Sequence, residues 1–196
     1  MSKSAASRHF VALSSARLRE WLGADLSKLD LLVLQIDGIY IREDLVLVAA
    51  IGIDGEGIKH PLALMEGATE SAAVAQALID SLIARGLDPA VPRLFIIDGS
   101  KALSRAIRRS FGHETAIQRC QIHKARNIMA RLPKGLHASV RRALRQAWEL
   151  DDAAKAERLI RNLAQRLEHE APGVSGSLLE GLMRYLPLHA SVCRPS

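Results

Sequence analysis

The sequence predicts an α/β protein in which a mixed sheet is followed by a block of helices. Three observations predict it. Short, nearly continuous apolar runs stand at 31–36, 45–53 and 94–97, the pattern of strands buried on both faces. Between and after them, apolar residues recur at helical spacing. The charge also divides along the chain. Residues 31–100 carry 4 Lys/Arg against 10 Asp/Glu, whereas residues 101–145 carry 12 Lys/Arg against one acid, Glu114.

The elements follow in order. The opening segment reads as a helix, with Ser14 or Ser15 as its cap and Leu18, Trp21 and Leu22 at helical spacing. Trp21 is expected to be a core anchor. Leu31 to Ile36 reads as a central strand that stops at Asp37-Gly38. Leu45 to Ile53 is a second strand, and Asp54-Gly55-Glu56-Gly57 is a turn. Ile58 to Met65 is a third strand, placed at an edge by Pro61. Two antiparallel hairpins in succession are expected. Residues 70–85 read as a helix capped by Thr69 and ended by Gly86. A loop with two prolines leads to the strand Leu94-Phe95-Ile96-Ile97, then to a helix from Ser100 to about Ser110. Thr115 to Arg119 is a fifth strand. From His123 to Leu186 the pattern is helical, broken at Pro133-Lys134-Gly135; Asp151-Asp152 caps a third helix of this block, and Pro172-Gly173 ends it.

Composition narrows the function. A length of 196 residues holds one domain with a modest insertion, and 48% apolar residues excludes a disordered chain. No run of 18 uncharged apolar residues exists, so no membrane helix is expected, and the N-terminus lacks the apolar stretch of a signal peptide. Two cysteines exclude a disulfide scaffold and suit a reducing cytosol. No Walker loop, Gly-x-Gly-x-x-Gly or Gly-x-Ser-x-Gly motif is present, which argues against a nucleotide hydrolase, a dinucleotide enzyme and a serine hydrolase.

Three groups of residues could carry chemistry. Asp37 and Asp98 each end an apolar run in an Ile-Asp-Gly context. If the two strands are neighbours, the carboxylates converge and need a cation between them, for which Mg²⁺ or Mn²⁺ with oxygen ligands fits. The competing reading is that each Asp-Gly is a turn, as Asp54-Gly55 is expected to be. Cys120 and His123 form a Cys-x2-His pair. Zinc would need two more ligands, available on paper only from the distant His189 and Cys193; a buried Cys beside a helix-opening His is the plainer reading. The basic set comprises Lys101, Arg105, Arg108 and Arg109 on one helix, with Arg119, Lys124 and Arg126 after the fifth strand. One sign dominating 45 residues favours a polyanion over a solvated helix face, and contacts of this kind hold a duplex without reading its sequence. Trp148 is expected in the core, with base stacking as a weaker role.

Five ordered segments carry a resemblance. They are Leu34-Gln35-Ile36-Asp37-Gly38, Lys59-His60-Pro61-Leu62, Glu66-Gly67-Ala68-Thr69-Glu70, Phe95-Ile96-Ile97-Asp98-Gly99-Ser100-Lys101-Ala102-Leu103, and Gln118-Arg119-Cys120-Gln121-Ile122-His123-Lys124-Ala125-Arg126-Asn127. From Ser4 to about Gly181 the chain resembles the catalytic region of mutator-type transposases of bacterial insertion sequences. The resemblance implies a ribonuclease H-like mixed sheet with a helical insertion at the C-terminal end. It divides the chain into a helical lead-in (1–30), a partial catalytic core (31–122), an insertion (123–181) and an aberrant tail (182–196). It implies phosphoryl transfer on DNA, with element-end cleavage and strand transfer, by a carboxylate triad holding two Mg²⁺ or Mn²⁺ ions. Asp37 would be its first member and Asp98 its second, and Cys120/His123 match the family's Cys-x2-His motif. Implied partners are the insertion-sequence ends and target DNA, in a cytoplasmic, nucleoid-associated setting, with homo-oligomerisation an open option.

Two departures qualify that expectation. The family carries a DNA-binding region ahead of this part, and its third acid is a Glu in a Thr-Asn-x-Ile-Glu context, which has no counterpart here. The chain is therefore expected to be inactive alone; the alternative is a DNA-binding remnant that interferes with an intact transposase by co-assembly. A third reading is a structural α/β domain. From Leu182 the resemblance ends, and codons can be chosen so that reading from the third base of the Leu182 codon gives DEIPSLTRLGLPPE, similar to the family's continuation. A one-base frameshift is the expectation. Sequencing the gene tests it: the displaced frame should run on into a Thr-Asn-x-Ile-Glu motif, and a stop codon there would refute it.

Overall fold

A computed structural model describes residues 3–42 and 45–180. Its five strands form one mixed sheet in the order β3-β2-β1-β4-β5. They are β1 (Leu31–Arg42), β2 (Leu45–Asp54), β3 (Lys59–Glu66), β4 (Leu94–Ile97) and β5 (Ala116–Arg119). The helices among the described residues are α1 (Lys3–Leu22), α2 (Ala72–Ala84), α3 (Lys101–Phe111), α4 (Gln121–Met129), α5 (His137–Trp148), α6 (Ala153–Leu167) and α7 (Pro172–Leu179). The chain divides into two compact units, residues 1–93 with 100–115, and residues 94–99 with 116–196.

In the first unit, β1 pairs antiparallel with β2, and β2 with β3, which are the two expected hairpins. Pro61 stands on the edge strand β3, where its missing N–H costs no ladder bond. Strand β3 is held from two sides: Trp21 Nε1 of α1 donates to the Pro61 carbonyl at 3.0 Å, and Nη1 of Arg85, the residue that closes α2, donates to the Leu62 carbonyl at 2.7 Å. Trp21 thus anchors α1, half-buried rather than in the core. Asp54 is a turn residue, its Oδ1 accepting from the backbone N–H groups of Glu56 and Ile58 at 3.0 and 2.9 Å. The hydrogen bond from His60, at 2.7 Å, is the first cause holding the Asp54 carboxyl below its usual pKa. Leu34, Ile36, Val48 and Leu62 of the hairpins, and Leu78, Ile79, Leu82, Leu103 and Ile107 of α2 and α3, are fully or almost fully buried.

Several boundaries differ from expectation. Ser14 and Ser15 lie inside α1, which begins at Lys3. β1 does not stop at Asp37-Gly38 but continues to Arg42, because Ile39, Tyr40 and Ile41 are good strand formers that extend the hairpin with β2. The cap of α2 is Ser71, whose side chain accepts from the Val74 N–H, and not Thr69, which is buried two residues upstream. Ser71→Ala is therefore expected to cost about 1 kcal/mol, read by urea denaturation; an unchanged midpoint would return the cap to Thr69. Gly86, at φ +98°, does end the helix.

In the second unit, β4 and β5 pair parallel, with Ile97 opposite Arg119. The helices behind them share an apolar core of Ile128, Leu132, Val140, Leu144, Ile160, Leu163, Leu167, Val174 and Leu178 among others. Pro133-Lys134-Gly135 does break the block, leaving a 3-10 turn at Lys134–Leu136. Asp152 caps α6 by accepting from the Lys155 N–H at 3.0 Å. Pro172 opens α7 rather than ending α6, which stops at Leu167; at the first helical position its missing N–H is one that no helix satisfies internally. Residues 182–186, expected to be helical, lie outside the described residues, as does the tail with His189 and Cys193.

Candidate functional site

Asp37 sits in the middle of β1, opposite Ala49 of β2, and is half-buried. The antiparallel ladder to β2 holds its backbone, so its side chain starts from a rigid base. A Cβ on Gly38 would make only ordinary contact with Thr69, at 3.5 Å, so the glycine is not sterically demanded there.

Asp98 is the first residue beyond β4 and is also half-buried. It opens a tight strand-to-helix turn. Gly99 takes φ +104°, and Ser100 caps α3 by accepting from the Leu103 N–H at 3.2 Å. The same hydroxyl donates to the Thr69 carbonyl at 2.7 Å, tying the start of α3 to the segment after β3. Asp98 is thus a strand-end carboxylate, as expected, and Asp37 a mid-strand one.

The basic set divides by environment. Lys101, Arg105 and Arg109 are exposed on α3. Arg108 is half-buried, and its Nη1 donates to the His113 carbonyl beyond the helix end, so its charge is engaged locally. Arg126 is exposed on α4. Lys124 is not: it is fully buried, and its ammonium donates to the carbonyls of Ser177 and Glu180 at the end of α7. Burial first, then the charge of Arg119, lower its pKa to about 8, against an opposing effect of Glu180 and with a smaller contribution from Arg131. The expectation that Lys124 contacts DNA is therefore corrected. It is a cap on α7, satisfying carbonyls that a helix end leaves open.

Arg119 ends β5, half-buried, and its guanidinium lies against Gly99. Cys120 follows as the residue before α4, its backbone N–H donating to the Ile97 carbonyl at 2.7 Å and its thiol giving no cap bond. His123 stands in the first turn of the same helix. Cys120 and His123 are thus held where β5 turns into α4, with the Cys120 N–H bonded to the last residue of β4.

One feature of the second unit has no counterpart among the sequence expectations. A groove of about 620 Å³ is lined by Ile122, Met129 and Leu144 at its apolar surface, with Arg126, Arg141 and Arg145 around it. Arg141 and Arg145 stand four residues apart on α5, a spacing that was legible as one basic face. Trp148 contributes to this groove while packing against the helical core. Among the described residues, no group of three or more His, Cys, Asp or Glu side chains is placed to hold a metal ion.

The family model for transposases of the mutator family matches residues 1–191. The chain belongs to that family. It is similar to the transposase for insertion sequence element IS6120 of Mycolicibacterium smegmatis, at 34% identity over 138 residues, covering 68% of this chain and 42% of the relative. It is 32% identical over 175 residues to the transposase for insertion sequence element IS256 in transposon Tn4001 of Staphylococcus aureus, covering 84% of this chain and 43% of the relative. A transposase for element IST2 of Acidithiobacillus ferrooxidans is 34% identical over 114 residues, covering 58% of this chain and 38% of the relative. This mutator-family chain therefore spans about two-fifths of the length of the curated relatives it matches. No described helix is long and apolar enough to cross a membrane.

Proposed function

We propose that this chain carries part of a mutator-type transposase catalytic region, whose chemistry is phosphoryl transfer on DNA. The observation that carries the reading is the family match across residues 1–191. The strand order, with two antiparallel hairpins followed by a parallel β4/β5 pair, supports a ribonuclease H-like sheet. Asp37 and Asp98 would hold Mg²⁺ or Mn²⁺, since hard cations prefer carboxylate oxygen. When bound, such ions supply charge stabilisation at the phosphoryl oxygens and a deprotonated nucleophile at neutral pH. Carboxylate oxygen from Asp37 and from Asp98 fits that donor chemistry. Asp37→Asn and Asp98→Asn are each expected to weaken Mn²⁺ binding by about tenfold or more, measured by calorimetry. Unchanged affinity in both would remove the metal site.

The exposed Lys101, Arg105, Arg109 and Arg126 would meet DNA phosphates, with insertion-sequence ends and target DNA as the duplexes. Removing one cation that neutralises a phosphate should flatten the slope of log K against log salt by about 0.9. Arg105→Ala with Arg109→Ala is expected to reduce it by up to about 1.8. Arg108→Ala should change it little, because that side chain is engaged with His113. Salt-insensitive binding would leave only a structural domain.

A second reading, favoured by the exposed cations of α3 and α4, is a chain that binds DNA without cutting it and enters assemblies with an intact transposase. Supercoiled DNA with Mn²⁺ is expected to be bound but not nicked. Nicking that disappears in Asp37→Asn would instead show a competent site.

A further inference from the structure

We propose that the Arg119 guanidinium, seated over Gly99, is an anion site that positions a DNA phosphate beside Asp98. The inference rests on the DNA reading above for the identity of its ligand, but not for its geometry. Arg119 stands opposite Ile97 in the parallel β4/β5 pair, and Ile97 is the residue before Asp98. The two strand ends therefore deliver an arginine and the Asp98-Gly99 turn to one place.

The turn is shaped to receive that side chain. A Cβ on residue 99 would lie 2.6 Å from Arg119 Nε, 3.0 Å from Cζ and 3.2 Å from Nη2. Glycine thus does two things at this position: it adopts φ +104°, and it leaves the space in which the guanidinium rests. Nothing in the turn itself requires an arginine on top of it.

One donor of the guanidinium is also left unsatisfied. Among the described residues Arg119 Nε is buried with no hydrogen-bond acceptor. A buried donor on a charged group costs free energy unless something accepts from it. Its cationic neighbour cannot help: Lys124 is close enough for the two charges to oppose each other, and its ammonium is committed to Ser177 and Glu180. Two like charges with an unfilled donor between strand end and helix start make a place for an anion. A phosphate oxygen fits, because the guanidinium fork matches its geometry. With Asp98 on the adjoining residue of the turn, a phosphate held by Arg119 would be presented to that carboxylate. Arg119 is then a positioning residue, distinct from the exposed arginines of α3, which can only hold the duplex at large.

The test follows the Arg119 Nε–H signal by ¹H–¹⁵N NMR in the full chain, assigned through its loss in Arg119→Lys. Inorganic phosphate and a duplex of about 20 base pairs, enough for several phosphate contacts, are the two probes. The signal is expected to shift saturably with phosphate and with duplex, and phosphate should compete with the duplex for it. Arg119→Ala should weaken duplex binding by about tenfold or more, with partial rescue in Arg119→Lys and on adding free guanidinium. Gly99→Ala, which must push the side chain out of its seat, should abolish the phosphate response. A response to phosphate without any duplex binding would overturn the DNA reading and leave the anion site standing. No response to either probe would overturn the anion site, whatever the DNA affinity.

Discussion

Replacing Lys124 by alanine is expected to destabilise the helical unit by about 3 kcal/mol, from the lost packing of a buried stem and the unsatisfied carbonyls it leaves. The side chain is completely buried, and it reaches carbonyls 53 and 56 residues further along the chain. Removing it uncaps α7 and opens a cavity between α4 and α7. Lys124→Met keeps the volume and should cost less, because it also removes a charge that is expensive to bury. Urea denaturation checks both. A further signature is pH. The folded pKa of about 8 lies below the ordinary 10.5, so the folded state binds fewer protons than the unfolded chain between those values. Below about pH 8 the ammonium is charged in both states and its burial cost is carried in full. Stability contributed by this group therefore rises from about pH 8 to 10.5, by an amount on the order of 3 kcal/mol at most. Lys124→Met should lack that rise. A salt slope for DNA binding that falls in Lys124→Ala, with no loss of stability, would place the ammonium in solvent instead.

Phe95→Ala is expected to cost about 3–5 kcal/mol, the range for a fully buried aromatic. Phe95 is 0% exposed, in a strand of only four residues, and stands opposite Ile117 of β5. A strand so short has few other contacts with which to hold its place. The loss should reach function as well, since β4 carries the backbone from which Asp98 and Gly99 emerge. Calorimetric unfolding together with Mn²⁺ titration tests it: both should fall in Phe95→Ala, whereas Asp98→Asn should lose metal with little change in stability. A Phe95→Ala protein that melts like the parent would show that β4 is held by its neighbours alone.

Much of this was legible without coordinates. The hairpins, the edge position of Pro61, the Asp54 turn, the Ser100 start of α3 and the Asp152 cap all follow from local patterns. The family was legible too, because its five segments are runs of neighbouring residues. These features need only the alternation of apolar residues and the hydrogen-bonding habits of short polar side chains. Boundaries failed where two local rules competed. Asp37-Gly38 reads as a turn yet lies within a strand, because β2 supplies partners for the residues around it. Pro172 can end one helix or begin the next, and only the placement of α6 and α7 chose the second.

The fate of the charged residues was decided by the tertiary structure alone. Lys124 and Arg126 are two residues apart in one basic run, and nothing local separates them. Yet one is sealed beneath the end of α7 and the other faces solvent. Arg119 likewise reads as one more cation until its register against Ile97 brings it over Gly99. The sequence by itself determined that this protein has two successive antiparallel hairpins, a carboxylate in each of two Ile-Asp-Gly runs, and a basic helical half. Which of those charges face solvent and which are buried depends on segments remote along the chain, because burial depends on what packs against a residue from outside its own element.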